Sequence, residues 1–199
     1  LSGNLHVPGG GQLASNEAFG TGALKVNTTG AYNTAVGVFA LTANTTGTIN
    51  TAVGYNALLA NVGGTYNIAM GFNALAANIS NSANVAIGDN ALGLSTANDN
   101  TAIGSAVLRS NTTGTANAAV GRQALQANTI GAYNTAIGYQ SAYTNTTGTN
   151  NIAIGYQAGY GGSASNNLAI GISALFSNTT GGDNIAIGGY RPLYANTIG

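Results

Sequence analysis

Nine side chains in this chain can hold a charge or exchange a proton near neutral pH: Glu17, Lys25, Asp89, Asp99, Arg109, Arg122, Asp183, Arg191 and His6. Two adjacent carboxylates would serve acid–base chemistry, a His/Asp/Glu cluster would hold a metal, and a serine beside a histidine would make a nucleophile. Their spacing favours none of these. No two carboxylates share a phase of the repeat that organises the chain. Serine and threonine are plentiful, but the only histidine, His6, precedes the repeats. Gly9-Gly10-Gly11 lacks the lysine of a phosphate-binding loop, and there is no G-G-x-G-x-D series of the kind that binds calcium. No catalytic, cofactor-binding or metal-binding residue is expected, and the chain reads as a non-enzyme.

What would position such residues is a unit close to N-T-A-V-G-Y-N-A-L-x-x-N-T-T-G-x-x. It recurs from Asn16 through Asn33, Asn50, Asn67, Asn84, Asn100, Asn117, Asn134, Asn151, Asn167 and Asn184. The spacing is 17 residues, dropping to 16 after Asn84 and after Asn151. A fixed period of this length marks a stacked architecture in which each repeat touches only its neighbours. Charged residues make up 4% of the chain and the net charge is zero, so no basic surface exists to neutralise nucleic-acid phosphates. No apolar run is long enough for a membrane span. With no cysteine, stability must come from stacking.

Within a repeat, position four is always apolar and usually β-branched, and positions two to four read as a short strand. Gly at position five ends it. A second short strand is expected around positions eight and nine (Ala57-Leu58, Ala74-Leu75), followed by the N-T-T-G turn. The expected fold is all-β: a β-solenoid, or parallel β-roll, of about eleven 16–17-residue coils over residues 16–199. It would be preceded by a strand and Gly-rich linker at 1–15. Coils stacked about 4.8 Å apart would span roughly 50 Å.

Stacking places like residues in columns. Position one forms an Asn ladder: Asn33, Asn50, Asn67, Asn84, Asn100, Asn117, Asn134, Asn151, Asn167 and Asn184. A partial amide ladder is expected at position seven, from Asn56 to Gln157. Position four is read as the core column: Val36, Val53, Met70, Ile87, Ile103, Val120, Ile137, Ile154, Ile170 and Ile187. Position three then faces out as a stripe of Ala35, Ala52, Ala69, Ala86, Ala102, Ala119, Ala136, Ala153, Ala169 and Ala186, the candidate subunit interface. Six N-x-S/T sequons, at Asn27, Asn44, Asn78, Asn111, Asn145 and Asn178, fall on the turn expected to be exposed.

The phased N-x-A-I/V-G core, as in Asn84-Val85-Ala86-Ile87-Gly88 and Asn151-Ile152-Ala153-Ile154-Gly155, resembles the head repeats of trimeric autotransporter adhesins (YadA-like heads). The longer N-T-A-I-G-Y-Q-A form is similar to repeats of bacterial surface fibres and phage tail fibres. The resemblance covers residues 16–199. It implies a left-handed roll, packing of three rolls side by side, and attachment to surfaces or host matrix. The repeat is longer here than in a typical adhesin head.

The functional expectation is a structural or adhesive extracellular fibre segment, at a cell surface or on a virion. Its partner would be itself, as a homotrimer or axial filament, with a surface, matrix or carbohydrate as ligand. The alternative is an ice-binding β-solenoid. Against that alternative stands the alternation of Thr with Ile and Val at position two, which suits an inward column. Leu1–Val7 is expected to add to a neighbouring subunit's edge. Starting without Met and ending on turn residues, the chain is expected to be a processed product or a piece of a longer protein.

Overall fold

A computed structural model of the chain describes residues 7–8 and 15–196. Among the described residues twelve strands form one sheet in sequence order: β1 (Val7–Pro8), β2 (Glu17–Phe19), β3 (Thr34–Val36), β4 (Thr51–Val53), β5 (Ile68–Met70), β6 (Val85–Ile87), β7 (Thr101–Ile103), β8 (Ala118–Val120), β9 (Thr135–Ile137), β10 (Ile152–Ile154), β11 (Leu168–Ile172) and β12 (Ile185–Tyr190). From β2 to β12 every neighbour is parallel, with position-three alanine opposite position-three alanine. The chain is a β-solenoid. β1 runs antiparallel to β2, with Val7 opposite Ala18, so this part of the leading segment pairs within its own chain. The rest of the expected strand and linker, 1–6 and 9–14, lies outside the described residues.

Each coil holds one strand, not the expected two. Positions eight and nine lie in a turn, and the leucine there has a left-handed backbone, with φ of 51° at Leu58 and 49° at Leu125. Positions seven and seventeen are left-handed as well, as at Asn56 (57°) and Tyr66 (59°). Such a conformation costs a non-glycine residue about 1–2 kcal/mol. Stacking offsets this cost, because hydrogen bonds between coils continue around the turns. Leu58 N–H donates to Ala74 O (3.0 Å), Tyr66 N–H to Thr48 O (3.2 Å) and Val62 N–H to Ile79 O (2.7 Å).

The strand faces the opposite way from the expected one. The position-three alanines from Ala35 to Ala186 are the buried wall, at 0–2% exposure, so they are not a subunit interface. Val36, Val53, Met70, Ile103 and Val120 are 36–38% exposed, Ile137 43% and Ile187 62%, so position four is not the core. Ile87, Ile154 and Ile170 are half-buried on the same outward side.

The reason is the narrowness of the lumen. Position-nine leucines (Leu41, Leu58, Leu75, Leu92, Leu108, Leu125) and position-eight alanines project into it from the turn wall, all fully buried. A Cβ placed on Gly159, at the leucine phase, would sit 3.3 Å from the Cβ of Ala153. The walls are therefore in contact already, and only a methyl fits opposite leucine.

Gly at position five brings the coils together. Gly54 has φ of 130°, and a Cβ there would lie 2.6 Å from Gly71 O of the next coil.

Candidate interaction face

Two buried asparagine ladders line the lumen. In the expected one, at position one, Asn50 N–H donates to Asn33 Oδ1 (3.0 Å) and Asn67 N–H to Asn50 Oδ1 (3.0 Å). The contact recurs along the solenoid, through Asn100 onto Asn84 and Asn167 onto Asn151. The second ladder, at position twelve, is the Asn of the N-T-T-G turn. Asn44 Nδ2 donates to Asn27 Oδ1 (2.9 Å), Asn61 to Asn44 (2.8 Å), Asn78 to Asn61 (2.7 Å) and Asn128 to Asn111 (2.8 Å).

In the complete coils from Asn16 to Asn134 both ladders meet at one carbonyl. Gly131 O accepts from Asn117 Nδ2 and Asn128 Nδ2, both at 2.9 Å. Each asparagine thus spends its amide on closing its own coil and tying it to the next, at about 1 kcal/mol net per bond.

The sequon asparagines are the rungs of this second ladder. They are 0–6% exposed and their Nδ2 atoms are engaged, so the folded solenoid cannot carry glycans on them. The expected amide ladder at position seven forms in part: Asn56 donates to Asn73 (3.1 Å), Gln140 to Gln123 (3.0 Å) and Gln157 to Gln140 (2.9 Å).

With the ladder amides turned inward, the outer face of the sheet lies open to solvent, beside the exposed turn threonines and Tyr32, Tyr66 and Tyr133. Position four contributes a row of Val, Ile and Met. Position two contributes a parallel row, with Ile68 and Ile152 exposed and Thr34, Thr51, Val85, Thr101 and Thr135 half-buried. Position two is therefore outward, where an inward column was expected. Beside it, position six adds exposed Tyr55, Phe72, Tyr139 and Tyr156. Tyr55 stacks on Phe72 (5.5 Å between centroids) and Tyr139 on Tyr156 (5.5 Å), with Arg122 5.9 Å over the Tyr139 ring.

A second aromatic stack, Tyr143–Tyr160–Phe176–Tyr194, runs along the turn wall at spacings of 5.2, 4.8 and 5.0 Å. Stacked rings cover one another's faces and offer only their edges.

The ionisable residues from Glu17 to Arg191 are all exposed; Glu17 shares a coil with Lys25 and Asp89 shares one with Asp99, and the other four lie in separate coils. Among the described residues no three His, Cys, Asp or Glu come together, and no helix is long and apolar enough to cross a membrane. Among the described residues the outward Val/Ile face is an extended surface row, as are the exposed turn threonines and the position-seventeen tyrosines Tyr32, Tyr66 and Tyr133. Comparison with protein-family models, with curated proteins and with solved structures found no match to any of them.

Proposed function

We propose that this chain is a non-enzymatic structural element of an extracellular fibre, and that it joins copies of itself through the outward face of its sheet. The observation that carries this reading is the outward apolar stripe at position four, exposed at Phe19, Val36, Val53, Met70, Ile103, Val120, Ile137 and Ile187 and half-buried at Ile87, Ile154 and Ile170. Eleven strands about 4.8 Å apart, nine of them three residues long at about 3.3 Å per residue, outline a face on the order of 500 Å². One partner in a standard interface contributes about 800 Å², so the position-six aromatics beside the strands complete the contact.

A second copy suits the face better than an unrelated protein does. Its rungs repeat at the same spacing, so every Val or Ile meets an apolar neighbour along the whole length. The resemblance to adhesin heads favours three copies around one axis, and attachment to a surface, matrix or carbohydrate rests on that resemblance alone.

Sedimentation of the wild type and of an Ile103→Lys/Ile137→Lys variant tests the proposal. Oligomeric wild type and a folded monomeric variant are expected. A wild type that stays monomeric at high concentration rejects self-assembly through this face.

One observation favours a second reading. Position two lies outward, so Thr34, Thr51, Thr101 and Thr135 share a flat regular face with Val and Ile, as an ice-binding surface would need. Ile68, Val85, Ala118 and Ile152 interrupt that hydroxyl row. The position-thirteen threonines spend their hydroxyls within the solenoid, as Thr112 Oγ1 does on Thr129 O (2.9 Å). Thermal hysteresis by the monomeric protein would favour this reading, and its absence at high concentration would reject it.

A further inference from the structure

The position-twelve ladder stops where the shortened coil 151–166 places Gly162 at the phase of asparagine. Below the gap, Asn145 is 2% exposed and donates through Nδ2 to Asn128 Oδ1 (3.0 Å) and Gly148 O (3.1 Å). Its Oδ1 is buried and accepts nothing. Above the gap, Asn178 is 6% exposed and gives one Nδ2 hydrogen to Gly181 O (2.7 Å). In intact coils the second hydrogen reaches the Oδ1 of the rung below, and here Gly162 has no side chain to receive it. An acceptor and a donor thus face each other across one missing amide.

The gap has room. Gly159 replaces the leucine of the lumen in this coil, and Ala142 replaces it in the coil before. The resulting pocket, bordered by Asn145, Asn178, Gly159, Gly162, Ala142 and Leu175, leaves about 30 Å³ open to the centre of a water-sized sphere. A water needs about 10–15 Å³ by that measure and at least two polar partners.

The other amides at the rim are committed: Asn151 Oδ1 accepts from Asn167 N–H, and Asn167 Oδ1 from Asn184 N–H. A cation would find one free carbonyl oxygen opposed by an N–H donor. An apolar guest would leave that oxygen unpaired.

We propose that a water molecule binds here as the missing rung, accepting from Asn178 Nδ2 and donating to Asn145 Oδ1. The other shortened coil, 84–99, shows a hydroxyl in the accepting half of that role, with Asn78 Oδ1 below it left unpartnered. There Ser95 holds the asparagine phase, and its Oγ accepts from Asn111 Nδ2 at 3.2 Å. In coil 151–166 the oxygen comes from solvent. A new side chain cannot supply it, because a Cβ on Gly162 would overlap Asn178 O.

An atomic-resolution crystal structure of the full chain tests the proposal. One solvent oxygen within hydrogen-bond distance of both Asn145 Oδ1 and Asn178 Nδ2 is expected. An empty pocket, or a direct bond between the two amides, overturns it. In solution, oxygen-17 relaxation dispersion should register a slowly exchanging water in the wild type that Asn145→Leu removes with the fold retained by circular dichroism. An unchanged slow-water signal in a folded Asn145→Leu variant also overturns it.

Discussion

Coils 117–133 and 151–166 differ by a single residue in length, yet they hold together differently. In the longer coil both ladders are complete, Leu125 fills the lumen, and Asn117 and Asn128 share Gly131 O. In the shorter coil the position-one ladder keeps its backbone-to-side-chain bonds, with Asn151 Nδ2 closing onto Ala164 O (2.8 Å) and Asn167 N–H on Asn151 Oδ1 (2.9 Å), while Asn167 Nδ2 turns to Ser165 O (3.2 Å). The position-twelve ladder and the leucine column both fail there. Coil 84–99 repeats the pattern more mildly, leaving Asn78 Oδ1 without a partner. The residue is lost after position twelve, on the turn side, so the strand keeps its register while the far wall absorbs the defect. Continuity along this solenoid belongs to the strand and its adjacent ladder, and the turn wall is where variation is tolerated.

Substitutions sharpen that contrast in order of expected size. Gly121→Ala in a complete coil should cost the most, on the order of 4 kcal/mol. Its φ is 118°, and the added methyl would sit 2.6 Å from Gly138 O, so the two coils must part. Equilibrium urea unfolding reads this loss, and a wild-type midpoint would show that neighbouring coils are not closely stacked.

Leu125→Ala follows, at about 3 kcal/mol for a cavity in a rigid lumen. A loss below about 1 kcal/mol in the same assay would mean that the walls collapse together easily.

Third comes a paired comparison. Asn128→Ala removes two donated bonds and the one accepted from Asn145, whereas Asn145→Ala removes two donated bonds and no protein donor to Oδ1. The first should be the more destabilising by about 1 kcal/mol. Equal losses would place the break in the ladder elsewhere.

Thr129→Val is the smallest, at about 0.5 kcal/mol. It deletes only an exposed hydroxyl bond to Thr146 O (2.9 Å).

Much of this architecture was legible in the repeat. Period, parallel stacking, strand position and the Asn33–Asn184 ladder all followed from phase, because stacking identical units aligns identical side chains. The direction of the strand was not legible by hydrophobicity, since β-branched residues belong equally to an outer sheet face. Variation among the repeats carried the missing signal. Position three is alanine in every copy because the lumen admits nothing larger, while position four ranges from Val36 to Met70 and Phe19 because solvent sets no size limit.

The turn wall misled for a different reason. Ala57-Leu58 looks like strand sequence, but Leu58 adopts φ of 51° because burying it returns about 1.5–3 kcal/mol, enough to offset the strain. The second ladder was hidden because asparagine before Thr-Thr-Gly has turn chemistry sufficient to account for it.

The chain has no cysteine, so single thiols can report on both faces of one strand. The most direct measurement compares the rates at which Ala102→Cys and Ile103→Cys react with a thiol reagent across a dilution series. Cys at 102 should stay unreactive at every concentration. Cys at 103 should react rapidly in dilute solution and become protected as copies associate. Rapid labelling at 102 would contradict the inward alanine wall, and a concentration-independent rate at 103 would contradict self-assembly through the Val/Ile face.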